Sequence, residues 1–432
     1  MRDTSFITKL FSWSIIFESL LIFIFSVPGS EGNVVHLGRL LQLLVLFLLL
    51  ANPGIKKIRL QTSQPLNSFI KFYSLYLVYT ALISVIGIVV GSYNSEYGSY
   101  SIYIRPAVEY AILIHYFIYF SILPTYFFRS MVDLNYFLDK FIVIFWLVIL
   151  IGLIDLLFVT LGFEGLYRHF YDKRSIGFRF HSILGEPRDA FAYLLLVIPV
   201  IYFRDLINGI TKSRKLVTIL IITCLFLTQS FSGVLGVFFS ITLITLYILS
   251  FGSNQKKIIF LTIISISTLV AYEITMSSSR LVLYYDKFLD VFIDLEDYSE
   301  VRSVYSVAIN NIYPLWDLWL RVKEYNILPL FFGNGIGSAS FINNQFMGEE
   351  NVVNPNASLI RSIYETGLVG TFILLYFFLK PIKYISCVNR ERMMIFSSLL
   401  IGSFFLHRSV TIFIFIGIVL VVNNLVTSRM YD

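Results

Sequence analysis

Hydrophobic residues in this chain come in long unbroken runs, separated by short polar stretches. Twelve runs can be read, at about 10–28, 34–52, 67–91, 105–128, 140–162, 189–204, 216–231, 233–250, 258–275, 357–380, 393–408 and 410–426. Most are near the roughly 20 residues that a helix needs to cross a bilayer. A β-barrel requires apolar and polar residues to alternate, and runs such as LLQLLVLFLLLA (40–51) do not alternate. The predicted fold is an all-α polytopic integral membrane protein with about twelve transmembrane helices. The first run has the position of a signal peptide. It has no convincing A-x-A cleavage site, and the charge pattern further on requires it to count as a span.

Between the runs, two polar segments stand out. The first is FEGLYRHFYDKRSIGFRFHSILGEPR (163–188), which holds Arg168, Lys173, Arg174, Arg179 and Arg188 together with Glu164, Asp172, Glu186, His169 and His181. The second spans about 276–356. A structureless loop of that length is improbable, so partial folding into helices over the membrane is expected. Within it, VRSVYSVAINNIYPLWDLWLRVKEY (301–325) has the aromatic and apolar mix of an interfacial helix. The predicted organisation is therefore 1–275 as helices 1–9 with the external loop 163–188, 276–356 as a large external loop between helices 9 and 10, and 357–432 as helices 10–12.

Composition agrees with a lipid environment. Of 432 residues, 57% are hydrophobic and 14% charged, against about 25% charged in soluble domains. That excludes a cytosolic enzyme, a nucleic-acid-binding protein and a disordered chain. The net charge of +6 gains meaning once the charges are placed by side. With the N-terminus in the cytoplasm, most lysines and arginines fall in short inner loops, as the positive-inside rule requires, and both termini lie inside. The inner cations mix Lys and Arg. The outer ones are nearly all Arg, with Lys173, Lys287 and Lys323 the exceptions. Arginine offers a planar fork that grips phosphate bidentately, so the outer side looks built for an anion. The bland reading is arginine snorkelling at helix ends. Cys224 in an apolar run and Cys387 in a basic loop predict neither a disulfide nor a zinc site.

Charges within the runs also gather toward the outer side: Arg39, Arg105, Glu109, Asp155, Glu273, Arg361, Glu365 and Arg408. Arg105/Glu109 and Arg361/Glu365 are i, i+4 pairs that share a helix face. A charge at mid-bilayer costs at least about 2.5–3.5 kcal/mol, so such residues usually line a cavity. The alternative is ion pairing between helices. Glu18 and His115 lie deeper, where a lone His reads as a helix–helix hydrogen bonder. FGNGIGSA (332–339) has no Walker pattern and reads as a tight turn that lets backbone approach closely. SFSGVLG (230–236) breaks two runs and allows close helix packing. DLED (294–297) reads as a solvated acidic turn in preference to a metal site.

Taken in order, RFHSILGEPRDAFA (179–192), SFSGVLG (230–236), FGNGIGSA (332–339) and NPNASLIRSIYETGLVG (354–370) form a series. By that series and its span layout the chain resembles the O-antigen polymerase and O-antigen ligase superfamily of bacterial membrane glycosyltransferases. In the last motif the matching residues are Asn356, Leu359, Glu365, Gly367 and Gly370. The ligase branch usually has His immediately before that Asn. This chain has Pro355, which favours the polymerase branch.

The resemblance implies a transfer at the outer face of the bacterial inner membrane. Donor and acceptor are glycan repeats on undecaprenyl pyrophosphate, no cofactor or metal is needed, and a chain-length regulator protein is an expected partner alongside membrane lipid. On this reading Arg179, Arg188, Arg302 and Arg361 bind pyrophosphate, with Arg174, Arg280, Arg321 and Asn356 as further substrate contacts. Glu186 or Glu365 is the base, with His181 an outside candidate. Glu365 reads equally well as the salt-bridge partner that orients Arg361. Two rivals stay open: a ligase with the same donor and another acceptor, and a flippase for the lipid-linked repeat. A flippase should carry polar residues at the midplane and show two related halves, and neither is visible in this sequence.

Overall fold

Long apolar stretches with few interior glycines or prolines close their backbone hydrogen bonds internally, and helices follow. A computed structural model describes residues 4–20, 23–26, 34–51, 64–93, 104–163, 179–184, 187–209, 215–251, 306–341, 358–380, 390–406 and 410–431. Helix α1 (Phe6–Leu20) leads through strand β1 (Phe23–Ser26) and strand β2 (Val34–His36) to α2 (Leu37–Ala51) and α3 (Gln64–Val90). Next comes α4 (Ile104–Tyr116), which runs through a π-helical turn (Phe117–Ile122) into α5 (Leu123–Phe127). They are followed by α6 (Met131–Thr160), α7 (Pro187–Ile207), α8 (Lys215–Leu227) and α9 (Phe231–Phe251). The rest are α10 (Ser306–Lys323), α11 (Leu328–Phe332), α12 (Ser358–Leu379), α13 (Arg390–Leu406) and α14 (Thr411–Tyr431).

Five helices among the described residues are long and apolar enough to cross a membrane: Leu66–Val90, Ile104–Phe127, Met131–Thr160, Pro187–Ile207 and Ser358–Leu379. The chain is therefore a helical membrane protein. Shorter apolar helices (Leu37–Ala51, Leu216–Leu227, Phe239–Ser250, Arg392–Phe404 and Thr411–Leu425) coincide with further predicted runs. The run at 258–275 lies outside the described residues.

The run at 10–28 departs from expectation. The stretch 10–28 is not a single helix: α1 ends at Leu20, and β1 pairs antiparallel with β2 in the register Phe23↔His36 and Ser26↔Val34. The residues at the changeover, FIFS, are aromatic and β-branched, which suits a pleated strand better than a helix. Helix α10 falls where an interfacial helix was predicted.

Helix α6 shows how the environment is read. Its start is fixed by Ser130, whose Oγ accepts from the Asp133 amide at 3.2 Å. Phe137, Phe141 and Phe145 are fully buried, whereas Leu147, Leu150 and Leu157 on the same helix are exposed. The stretch 141–154 is apolar all round, and such a stretch with one face uncovered needs lipid there.

The chain divides into two compact units. One comprises Met1–Lys71, Ile114–Val234 and Phe378–Asp432, and the other Phe72–Leu113 and Leu235–Phe377. In the first unit, Phe11 stacks on Phe127 at 4.2 Å and Phe141 on Tyr193 at 5.5 Å. There α14 passes so close to the π turn that a Cβ on Gly417 would lie 2.2 Å from the Phe120 carbonyl oxygen. A polar thread also runs through this unit: Gln42 Nε2 donates to Glu18 Oε2 at 3.0 Å, and its Oε1 lies 2.8 Å from His115 Nε2. His115 thus joins α4 to α2, the helix-bonding role expected of it.

Candidate functional site

The second unit is organised around a break in α12. Gly367 has φ +68°, a left-handed value that costs glycine nothing. The helix is interrupted there, and carbonyls just before it lose regular helical donors. The FGNGIGSA loop supplies replacements. Asn334 donates to the Tyr364 carbonyl through its backbone N–H at 3.0 Å and its Nδ2 at 3.2 Å, and the Gly335 N–H donates to the Glu365 carbonyl at 2.8 Å. The Tyr79 hydroxyl is shared between the carbonyls of Thr366 at 2.8 Å and Phe332 at 3.0 Å.

This clamp needs glycine on both sides. A Cβ on Gly333 (φ +87°) would sit 2.4 Å from the Glu365 carbonyl oxygen, and one on Gly367 would sit 2.2 Å from that of Phe331. The far side of the loop is braced by Ser84, whose Oγ accepts from the Ile336 N–H at 3.0 Å, and by Tyr93, whose hydroxyl donates to the Ile336 carbonyl at 2.8 Å. Burial pushes the Tyr93 phenol well above its usual range, so it remains a donor.

The clamp brings together the two i, i+4 pairs. Arg361 Nε donates to Glu365 Oε1 at 2.7 Å. Arg361 Nη2 lies 2.8 Å from Glu109 Oε1, and that same oxygen lies 2.8 Å from Arg105 Nη2. Four charges thus form a ladder, Arg105–Glu109–Arg361–Glu365, with no net charge. The Arg361 and Glu365 side chains are only 5% and 7% exposed.

Arg361 is incompletely satisfied. Its Nε is well bonded, but its Nη2 meets Glu109 at an angle too bent for a good hydrogen bond, and its Nη1 has no acceptor among the described residues. A buried donor left unmade costs about 1–3 kcal/mol, and here it is a charged fork. Arg361 lies in the first turn of α12 and Arg105 in the first turn of α4, where helix dipoles add positive potential.

Arg321 stands one step from this ladder. Its Nε donates to Asp317 Oδ2 at 2.9 Å, and the Tyr364 hydroxyl donates to the same oxygen at 3.0 Å. Tyr364 packs with Leu318 and Ala339, which ties α10 and the glycine loop to α12.

In the first unit, segment 179–184 is a second built feature. Arg179 donates from Nε to the Thr228 carbonyl and from Nη2 to the Gln229 carbonyl, both at 3.0 Å, just past the end of α8. The Phe180 N–H donates to the Leu227 carbonyl at 2.8 Å. A guanidinium there caps the helix C-terminus and complements its dipole. The Phe180 ring fills the place where Gly152 lacks a side chain. His181 is buried, with Nδ1 3.0 Å from the Ser182 carbonyl and Nε2 3.4 Å from Asp155 Oδ2. Ser182 holds φ +55° and donates to the Val148 carbonyl at 2.7 Å. Arg188 is in the first turn of α7. In SFSGVLG, Ser230 Oγ caps α9 by accepting from the Gly233 N–H at 3.2 Å, and a Cβ on Gly233 would meet the Phe191 ring.

Of the residues singled out from sequence, Arg361 and Glu365 are joined to each other and to the Arg105/Glu109 pair, and Arg321 reaches the same helix through Asp317. His181 and Arg179 share one segment of the first unit with Arg188 nearby in sequence. Arg174, Glu186, Arg280, Arg302 and Asn356 lie outside the described residues. Sequence reasoning passed over Tyr79, Ser84, Tyr93, Asn334 and Asp317. The only signal for the first three is a hydroxyl on or next to an apolar helix, which is too common to single out. The chain matches no known family model and no curated protein.

Proposed function

We propose that this protein is a polysaccharide polymerase. It joins oligosaccharide repeats carried on undecaprenyl pyrophosphate at the outer face of a bacterial inner membrane. The observation that carries this reading is the buried guanidinium of Arg361, whose Nη1/Nη2 end has no well-aligned acceptor at the head of a membrane-spanning helix. That end has the geometry for two oxygens of one phosphate. The identity of the lipid-linked donor comes from the resemblance carried by the motif series to which Arg361 belongs.

In the proposed reaction, a hydroxyl of the acceptor repeat attacks the anomeric carbon of the growing glycan. The bond from that carbon to the pyrophosphate oxygen breaks, and the carrier leaves with the bonding electrons. Arg361, supported by Arg105, holds the pyrophosphate and stabilises the charge it gains. A carboxylate takes the proton from the attacking hydroxyl. Glu186 and Glu365 are the candidates, and the bond from Arg361 favours a positioning role for Glu365. Both ring nitrogens of His181 face acceptor oxygens, so it is better suited to holding its segment in shape than to acting as base.

The test is to delete the gene in its host and restore it as wild type or Arg361→Ala. Surface polysaccharide is then run on a gel beside an extract of the lipid carrier. The expected result is loss of the long ladder in the deletion and in Arg361→Ala, with single repeats still attached to their acceptor. Full-length polymer stranded on the lipid carrier would identify a ligase instead. Single lipid-linked repeats trapped on the cytoplasmic side would identify a flippase.

A further inference from the structure

Within the ladder, the two glutamates are held differently. Glu365 receives an aligned 2.7 Å bond from Arg361 Nε. At Glu109, Oε1 lies 2.8 Å from the Nη2 atoms of both Arg105 and Arg361, off the N–H direction of Arg361. One anionic oxygen between two guanidinium groups is the arrangement a phosphate oxygen would take. The end of Arg361 that Glu109 meets poorly is also the end with a buried, unmatched Nη1.

We propose that Glu109 is a displaceable internal anion: it occupies the phosphate-binding end of Arg361 and Arg105 in the unliganded protein and yields to the pyrophosphate of the substrate. This rests on the polymerase reading for the identity of the ligand. Glu109 gives the half-buried Arg105 a counter-charge and, with Glu365, helps neutralise the buried Arg361 while the site is empty, since an unpaired buried charge is strongly unfavourable. On binding, the phosphate takes over the Nη1/Nη2 fork, while Glu365 keeps Arg361 oriented through Nε. The carboxylate thereby sets a threshold: a weakly charged or singly contacting anion does not displace it, and a ligand that fills the whole fork does.

The probe is inorganic pyrophosphate, titrated calorimetrically into the detergent-solubilised full-length protein. The variants are Glu109→Gln, Glu109→Asp, Glu365→Gln and Arg361→Lys. Removing a competing charge should tighten binding, so Glu109→Gln is expected to lower the dissociation constant about tenfold, equivalent to roughly 1.4 kcal/mol. Glu109→Asp, which keeps the charge but withdraws it by one methylene, should tighten binding less and serves if the glutamine variant does not fold. Glu365→Gln should not tighten binding, and Arg361→Lys should weaken it. If Arg361→Lys weakens binding while both Glu109 variants bind no tighter than wild type, Glu109 is a fixed structural partner and the inference falls, with the anion site intact. If Arg361→Lys binds as wild type does, the pyrophosphate site is wrong and the inference falls with it.

Discussion

The loop 332–339 and the segment 179–184 solve one problem in two ways. Each is a short irregular stretch braced against carbonyls where a helix stops or breaks. In 179–184 a large part of the work is done by a side chain, because the Arg179 guanidinium bonds to the carbonyls of Thr228 and Gln229. In 332–339 it is done largely by backbone N–H groups of Asn334 and Gly335, which glycine allows to come close. The difference decides what charge is left over. Around α8 the arginine spends Nε and Nη2 on capping. Around α12 the cap uses uncharged donors, so the nearby arginine can face carboxylates and keep part of its fork uncommitted. A positive residue beside a helix end is thus no guide to anion binding until its donors have been traced to their acceptors.

The comparison is tested hardest at Arg361. Arg361→Ala leaves Glu109 and Glu365 without their shared partner in a buried site, and the expected loss is about 3–5 kcal/mol of stability, read as a lowered unfolding midpoint in detergent. Gly367→Ala should cost somewhat less, about 3 kcal/mol, because it forces a side chain into left-handed backbone and against the Phe331 carbonyl. Its signature is destabilisation with the charge ladder chemically unchanged. Arg179→Ala should cost about 2 kcal/mol, the scale of hydrogen bonds from a charged donor. It should leave pyrophosphate affinity unaltered; weakened affinity would mean that this arginine also binds the ligand. Tyr79→Phe removes one shared hydroxyl from the clamp and should cost about 1 kcal/mol, measured the same way.

Much of the helical layout could be read from sequence because apolar runs in lipid have few alternatives. The exception at β1 arose where β-branched and aromatic residues carried an apolar run past the end of a helix. Spacing alone put Arg105 with Glu109 and Arg361 with Glu365, since i, i+4 residues share a face. It could not pair Glu109 with Arg361, because that contact depends on the axial register of two helices more than 240 residues apart in sequence. The glycines of FGNGIGSA were visible as a place of close approach, though the glycine of ETGLVG was not visible as their partner. Tyr79 and Tyr93 were hidden because a tyrosine near an apolar helix ordinarily marks an interface.

The break at Gly367 also has an electrical consequence. The part of α12 before it, Ser358–Thr366, is about 14 Å long at roughly 1.5 Å per residue, which is a large fraction of a hydrocarbon layer about 30 Å thick. Lipid tails offer no hydrogen bonds, so irregular backbone at that depth has to be bordered by polypeptide or water. With the outward orientation proposed above, a wet recess there would bring the exterior solution partway into the insulating layer, and the transmembrane voltage would fall over the shorter distance beneath it. The full drop is worth about 2.3 kcal/mol per charge per 100 mV. An anion descending from the positive side would work against part of that field, and a departing one would be pushed out by it. The resting potential of the cell would then favour release of the spent carrier's headgroup over its retention.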